Sequence, residues 1–505
     1  MMQYVVSPAF RARALALASG VAMSALLTGC AVGPDFLKPA APETTTYTPE
    51  ATLPPTTASS VAAGEAQRFV QDQDIPGQWW TLFHSEALNA LIDQALKTNP
   101  DLQAAQAALR QTQETALATR GPLFPSIDAQ YNVTREKISG ASFGQSGLNP
   151  IFTLSTAQVS VSYLVDIWGA TRRQIESAEA QAEAQRYQLE ATYLTLTSNV
   201  VTAAVQEASL RAQIVATEDI ISAETQQLNL LQRQFDLGGA SKAAVLAQAA
   251  TLAQAKAGLP VLQKQLAQQR NLLAVLAGRF PSDQPSQRFE LASLQLPQDL
   301  PLSLPSKLVE QRPDIQAAES AMHSASAQVG VATANLLPQL NLTGAFGVSG
   351  TGVDFNPSTG IWSIGAGLVQ PIFRGGTLIH EKRAAVAAYD QTAAQYRGTV
   401  LVAFQNVADA LRALQSDADA LNAQLAAEQA AADSLDLSER QFQLGAISYT
   451  SLLDAERTLL QARVSLVQAQ AARFADTAAL FQALGGGWWN RTDVTESVPS
   501  GFAWP

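Results

Sequence analysis

The side chains that do most protein chemistry are scarce in this chain, and their spacing builds no reactive site. Among 505 residues there are three histidines, His84, His323 and His380, and one cysteine, Cys30. The histidines are scattered, with no nucleophile or metal-ligand set at motif spacing. Gly485–Gly487 opens no helix after a strand, so it reads as a chain-ending turn and not a phosphate cradle. The chain is therefore not read as an enzyme, and no cofactor is expected. Two residues remain whose placement points to a task. Cys30 closes Leu27-Thr28-Gly29-Cys30, after Arg11, Arg13 and an apolar core from Ala14 to Leu27. That is the layout of a secretory signal over residues 1–29, too short for a stable membrane span. A lone cysteine also rules out an intramolecular disulfide, even at an oxidising destination. Asp454 lies nine residues past Gly445, in Leu453-Asp454-Ala455-Glu456-Arg457. Copies of it from identical subunits would form a carboxylate ring that binds cations and tunes passage, as charged rings do in channels. The alternative is a solvated helix residue paired with Arg457 or Arg440.

Composition limits what can carry these residues. The formal net charge of −11 becomes −13 when residues 1–29, which hold two basic and no acidic residues, are removed. Such a balance argues against nucleic acid as a partner. Hydrophobic residues make up 47% and charged ones 15%, yet beyond the signal no uninterrupted apolar run reaches about 18 residues, which excludes helical membrane spans. Residues 30–78 read as an N-terminal tether, extended where Pro, Thr and Ala dominate between 31 and 64.

Repetition decides the architecture. Asn99-Pro100-Asp101-Leu102-Gln103-Ala104-Ala105 returns as Arg312-Pro313-Asp314-Ile315-Gln316-Ala317-Ala318, an offset of 213. Leu123-Phe124-Pro125 returns as Leu336-Leu337-Pro338 at the same offset, and Arg233–Gly238 returns as Arg440–Gly445 at 207. The chain is a tandem duplication: residues 79–278, a linker at 279–305 with five prolines, residues 306–487, and a tail at 488–505. In the first repeat a helix over Glu86–Arg120 ends at Gly121-Pro122. Two strands follow at about 125–136 and 153–166, then a long helix from Ala170 to Phe235. A tip near 238 turns the chain into a return helix from Ser241 to Ala277. The second repeat has strands at about 338–349 and 361–372, a helix over Gly375–Phe442, a tip near 445 and a return from Ser448 to Leu484. At about 1.5 Å per residue each long helix spans on the order of 100 Å. Ile214, Ile221, Leu228 and Phe235 fall a heptad apart, and Val407, Leu411, Leu414, Ala418, Leu421 and Leu425 alternate steps of four and three, as a coiled-coil seam does.

The strands separate a duct from a simple rod. Ile127, Ala129, Tyr131 and Val133 alternate with polar residues, as do Ala157, Val159, Val161 and Tyr163. In the second repeat Leu340, Leu342, Phe346 and Val348 alternate in the same way, as do Trp362, Ile364, Ala366 and Leu368. One apolar and one uncharged-polar face suit a barrel with lipid outside and water inside. Four strands cannot close a barrel, and open edges in lipid would leave backbone groups unpaired at several kcal/mol each. The barrel must be shared between copies. The loops Lys137–Pro150 and Gly350–Gly360 would then face the exterior. The expected fold class is an α+β membrane protein: a tandem repeat of long coiled-coil helices with four transmembrane β-strands per chain.

Taken in order, the motifs resemble the TolC-like outer-membrane factors, in the NodT/OprM-like lipoprotein branch. They are residues 27–36, Trp79-Trp80, Asn99–Leu102, Asp166–Gly169, Arg312–Ile315, Pro371–Gly376, Leu452–Ala455 and Ala483–Trp488. Leu27–Cys30 resembles the bacterial lipobox, which implies that Cys30 becomes the first residue and carries covalent lipid. Ala31 at the next position implies sorting to the outer membrane of a Gram-negative cell. The resemblance further implies a homotrimer with a twelve-strand barrel on a twelve-helix periplasmic tunnel, a periplasmic adaptor, and an inner-membrane pump of the RND type. It maps a periplasmic gate onto Asp454 and Phe442, with Leu237, Gly238, Leu444 and Gly445 as tip turns that meet the adaptor. The first repeat departs, having Ala247 or Gln248 where Asp454 would recur. The function so implied is a passive exit duct for drugs or other small solutes. A duct for a secreted protein and a poreless coiled-coil tether are the competing readings, and the lipobox and the strands weigh against them in turn.

Overall fold

The computed structural model describes residues 31–50, 53–138, 151–352 and 359–492. The signal at 1–29, Cys30, residues 139–150 and 353–358 of the two expected loops, and the tail from 493 onward lie outside the described residues. In chain order the elements are β1 (Arg68–Gln71), α1 (Glu86–Thr98), α2 (Pro100–Thr119), β2 (Ser126–Lys137), β3 (Ile151–Val165), α3 (Ala170–Asp236) and α4 (Lys242–Leu276). There follow β4 (Asp299–Leu302), α5 (Pro305–Gln311), α6 (Pro313–Ala334), β5 (Gln339–Thr351), β6 (Thr359–Val369), α7 (Thr377–Gln443) and α8 (Tyr449–Ala483). The long helices α3 and α7 each run 67 residues and the return helices α4 and α8 each run 35. Helix α4 continues through Pro260, although an interior proline forfeits a backbone bond and costs on the order of 3 kcal/mol. The described residues form two compact units, one within residues 1–39, 109–185 and 318–396 and the other within residues 40–108, 186–317 and 397–505.

Three expectations need correction. The single helix over Glu86–Arg120 is two helices, divided at Asn99. A residue before proline is pushed to extended backbone, and Asn99 has φ −65° and ψ 125°. Its Oδ1 accepts from the N–H groups of Asp101 and Leu102 at 2.9 and 3.1 Å, capping α2, with Pro100 in the favoured first position. The Asn99 amide also donates to Leu276 O at the end of α4, at 3.0 Å. The second repeat breaks at Arg312 before Pro313, and the Arg312 guanidinium donates to Ala483 O at the end of α8, at 2.9 Å. One position thus ties the return helix to the first helix in both repeats, with an amide in one and a cation in the other.

Second, the tether is docked. In the first unit, Val32 N–H donates to Trp168 O at 3.0 Å and Arg173 reaches Asp35 at 2.6 Å. Gly33 approaches so closely that an added Cβ would lie 2.4 Å from the Gly330 Cα. In the second unit, β1 pairs in parallel with β4 of the linker, from Arg68 opposite Asp299 to Gln71 opposite Leu302. Composition signals an extended segment, which this is; it cannot signal that the extended backbone finds a distant partner.

Third, the buried line of α3 is not Ile214, Ile221, Leu228 and Phe235, which are only half-buried, but Leu210, Gln213, Thr217, Glu224 and Leu231. Polar residues occupy the seam, and an apolar-periodicity search passes over them. On α7 the expected line is buried from Val407 to Leu421, with Leu425 half-covered.

The second unit is centred on Trp79, Trp80, Phe83, Phe474 and Phe481, all within 1% of full burial. The Trp79 ring stacks on Phe481 at 5.3 Å. Gly485, Gly486 and Gly487 pass this core with φ of +95°, +64° and +69°. A Cβ at Gly487 would fall 2.4 Å from the Ile75 carbonyl oxygen, so neither the conformation nor the space admits a side chain there.

Candidate functional site

The sheet of the first unit is antiparallel in the order β2-β3-β5-β6. Its register sets Ala129, Val159, Phe346 and Trp362 in one row across the strands, and Ile127, Val161, Gly344 and Ile364 in the next. Alternation puts these rows on one face. The opposite face carries Asp128, Ser160, Ala345 and Ser363, then Asn132, Thr156, Ser349 and Thr359. Apolar positions read separately from four strands therefore converge on a single side. On that side Phe346, Trp362 and Ile364 are 72%, 73% and 85% exposed, a greasy surface that water penalises and hydrocarbon accepts. β2 and β6 are the outer strands of the chain's own sheet.

The tips lie in the second unit. α3 and α7 end in left-handed glycines, Gly238 at φ +78° and Gly445 at φ +71°. Gly239 N–H donates to Gln234 O at 2.7 Å, and Ala446 N–H to Gln441 O at 2.8 Å, closing helix ends that a Cβ would strain. Ser241 and Ser448 cap the return helices through bonds from Ala244 and Ser451 N–H at 3.1 and 3.2 Å. Leu237 and Leu444 stand 87% and 84% exposed at the turns. Behind them Leu231, Val245, Tyr449, Leu452 and Leu453 form a buried cluster that Phe235 and Phe442 cover. The Phe442 ring lies 5.2 Å from Tyr449, so it is packed at the junction of the two hairpins. Asp454 is exposed and pairs with Arg457 at 3.3 Å; Arg440 pairs instead with Asp436 at 2.6 Å. A pair so exposed contributes about 1 kcal/mol at most, and Asp454 meets no residue of the first repeat through it.

The sequence reading missed a polar chain beneath this cluster. Gln248, fully buried on α4, donates to the Glu224 carboxylate and to Glu224 O, the latter at 3.1 Å. Tyr449 OH donates to Gln248 Oε1 at 2.5 Å. Glu456 on α8 is hydrogen-bonded to Glu224 on α3. Burial, then the Glu224 and Glu439 carboxylates and the bond to Glu224, push the Glu456 carboxyl up to about 7. Burial also raises Glu224, against hydrogen bonds from Gln248 and Glu456 that lower it. The available signal was Glu224's place midway between Thr217 and Leu231 at seven-residue steps. Among the described residues no cluster of His, Cys, Asp and Glu is placed to hold a metal ion.

A sheet with one membrane face and one polar face, repeated long hairpins and packed glycine turns define a channel protein of the outer membrane. The match to known proteins is direct: the chain belongs to the outer membrane efflux protein family, which it matches twice, over residues 91–279 and 304–486. The pyoverdine export outer membrane protein OpmQ of Pseudomonas aeruginosa is 33% identical over 426 residues, 81% of this chain and 87% of that one. The toluene efflux pump outer membrane protein TtgC of Pseudomonas putida is 30% identical over 471 residues, 92% and 94% of the two chains. The solved structure of the outer-membrane channel OprN superposes with a TM-score of 0.80 at 26% identity, covering 91% of this chain and all of that one. The family expected from the sequence motifs is the family found. This chain is an outer-membrane efflux channel component.

Proposed function

We propose that the chain acts as a homotrimer, a passive duct without catalytic activity, for drugs or other small solutes delivered by a periplasmic adaptor and an inner-membrane pump of the RND type. The observation that carries this reading is the four-strand sheet with an exposed apolar face and outer strands β2 and β6. In lipid those edges find partners only in β6 and β2 of neighbouring copies. Relatives named for pyoverdine export and for toluene efflux share the scaffold, which fits cargo selection by the pump. The exposed Leu237 and Leu444 turns offer the adaptor its contact. The purified chain is expected to migrate as a trimer in detergent and to give single-channel currents in planar bilayers. A monomer without conductance would overturn the reading.

Cys30 is the lipid-bearing residue in this proposal. Cys30→Ser is expected to lose incorporation of labelled fatty acid while the chain still reaches the outer membrane; retained label would refute the anchor. Asp454 is the gate carboxylate, three copies forming the ring with Phe442 packed beneath. Asp454→Ala is expected to raise leak conductance several-fold and to abolish block by divalent cations. Unchanged conductance and unchanged block would remove the assignment.

A further inference from the structure

The four-strand sheet carries four charged side chains, all on β2, and the register sorts them by sign. Asp128 and Glu136 lie on the polar face, whereas Arg135 and Lys137 alternate onto the apolar face with Ile127, Ala129, Tyr131 and Val133. The pairing runs without a bulge from Ser126 opposite Ser162 to Lys137 opposite Ile151, so the alternation holds to the last residue. Both cations stand at the end of the sheet away from the helices, since α2 leads into Ser126 and α3 follows Val165. Between Ile127 and Lys137 the strand advances roughly 34 Å, and a tilt of about 35–45° leaves roughly 26 Å across the membrane. The apolar band of an outer-membrane barrel is about 25 Å tall. Arg135 and Lys137 therefore fall where hydrocarbon gives way to headgroups on the outer side, the level at which a basic side chain is tolerated on the lipid face.

We propose that Arg135 and Lys137 form a docking site for the phosphomonoester of a phosphorylated glycolipid in the outer leaflet. Both side chains are exposed, and no described carboxylate pairs with either. Glu136 between them is half-buried on the opposite face, their cross-strand neighbours Thr153 and Ile151 are neutral, and residues 138–150 contain no acidic side chain. In the shared barrel β2 lies beside β6 of the next copy, a strand without a charged residue, so assembly brings no counter-charge. A chain of net charge −11 thus shows lipid only positive charge, and only at one rim. The two Cα atoms are about 7 Å apart on one side of the strand, close enough for both long side chains to converge on one phosphate. The guanidinium offers a planar fork that two phosphate oxygens can accept from, and the ammonium adds a point charge. Two cations match the charge of about −1.5 to −2 on a phosphomonoester, where the phosphodiester of an ordinary phospholipid carries one. The site rests on the duct reading for its place in the barrel and adds to it one lipid contact per copy.

The test titrates the purified full chain in detergent with bisphosphorylated lipid A at constant ionic strength and counts bound lipid by native mass spectrometry. The parent is expected to bind lipid A well above its dephosphorylated form and above phosphatidylglycerol, which carries only a diester. The double variant Arg135→Ala with Lys137→Ala is expected to bind lipid A roughly thirtyfold more weakly, about fivefold for each basic residue near an anionic lipid surface. Glu136→Gln, on the other face of the same strand, should bind as the parent does. Equal binding of lipid A with and without phosphate would mean that acyl contacts alone hold it, and overturns the site. A double variant that binds like the parent overturns it too, and phosphatidylglycerol held as tightly as lipid A overturns the choice of a phosphomonoester. The comparison of lipids on the parent needs no variant to fold. Conductance in phosphatidylcholine bilayers is read separately. A conducting parent indifferent to phosphate counts against the site alone, and a silent parent that still selects lipid A counts against the duct alone.

Discussion

Ile364→Lys is expected to stop the chain from entering the outer membrane, while Ser363→Lys next to it is tolerated. The two positions are adjacent on β6 but lie on opposite faces. Ile364 shares a row with Ile127 and Val161, and Ser363 shares one with Asp128 and Ser160. A lysine on the lipid side near the bilayer midplane costs about 2–4 kcal/mol, and each copy in a shared barrel adds its own cost. A lysine among water-facing serines pays no such penalty and changes only the charge seen by passing solutes. The measurement is heat-modifiable migration of outer-membrane fractions for each variant, with ion selectivity recorded for the polar-face one. Equal assembly of the two variants would show that the apolar face does not meet lipid.

Arg473→Met is expected to loosen residues 56–67 from the rest of the second unit and to lower its stability by about 1–3 kcal/mol for each buried acceptor left without a donor. Arg473 is fully buried. Its guanidinium donates to Ala63 O at 2.5 Å, to Glu65 O and Gln67 Oε1 at 3.0 Å, and to Thr56 Oγ1 at 3.2 Å. Gln67 also donates to Thr477 Oγ1 at 3.2 Å and to Pro297 O at 3.1 Å. A methionine of similar length fills much of the space but leaves those acceptors without a donor, at about 1–3 kcal/mol for each that water cannot reach. Asp417 next to this site is already pushed up to about 7 by burial and by its hydrogen bond to Asp476, and Arg473 pulls it the other way. Removing the guanidinium should therefore raise Asp417 further. The check is hydrogen exchange across residues 56–67 together with thermal unfolding of the assembled protein. Protection equal to the parent would mean that β1 and its partner strand hold the segment alone.

Much of this architecture is legible in the sequence because its signals are local. Helix ends are punctuated by Gly238, Gly445, Ser241 and Ser448, and the observed boundaries fall within two residues of those signals. The strands betray themselves by alternation, and four separately read patterns share a face in the observed register. The failures concern pairings between remote segments. The parallel β1–β4 pair and the Arg473 clasp join residues hundreds of positions apart, and Pro-Thr-Ala composition says nothing of them. The tip network stayed hidden for another reason. Glu224 and Gln248 look like solvated helix residues, since burial of a polar group depends on a partner from another helix. At Asn99 the information was present: a residue before proline with a capping side chain is a break, and the apolar period running across it obscured that.

The outer strands of the sheet carry one further consequence, for inheritance and dosage. A copy that folds its hairpins but cannot offer β6 to a neighbour still presents β2, and so can occupy a place in a ring without completing it. Proline substitutions within β6 would then behave as dominant lesions, spoiling sound copies made in the same cell. Lesions that prevent the chain from folding at all would be recessive, because such a chain never reaches the ring.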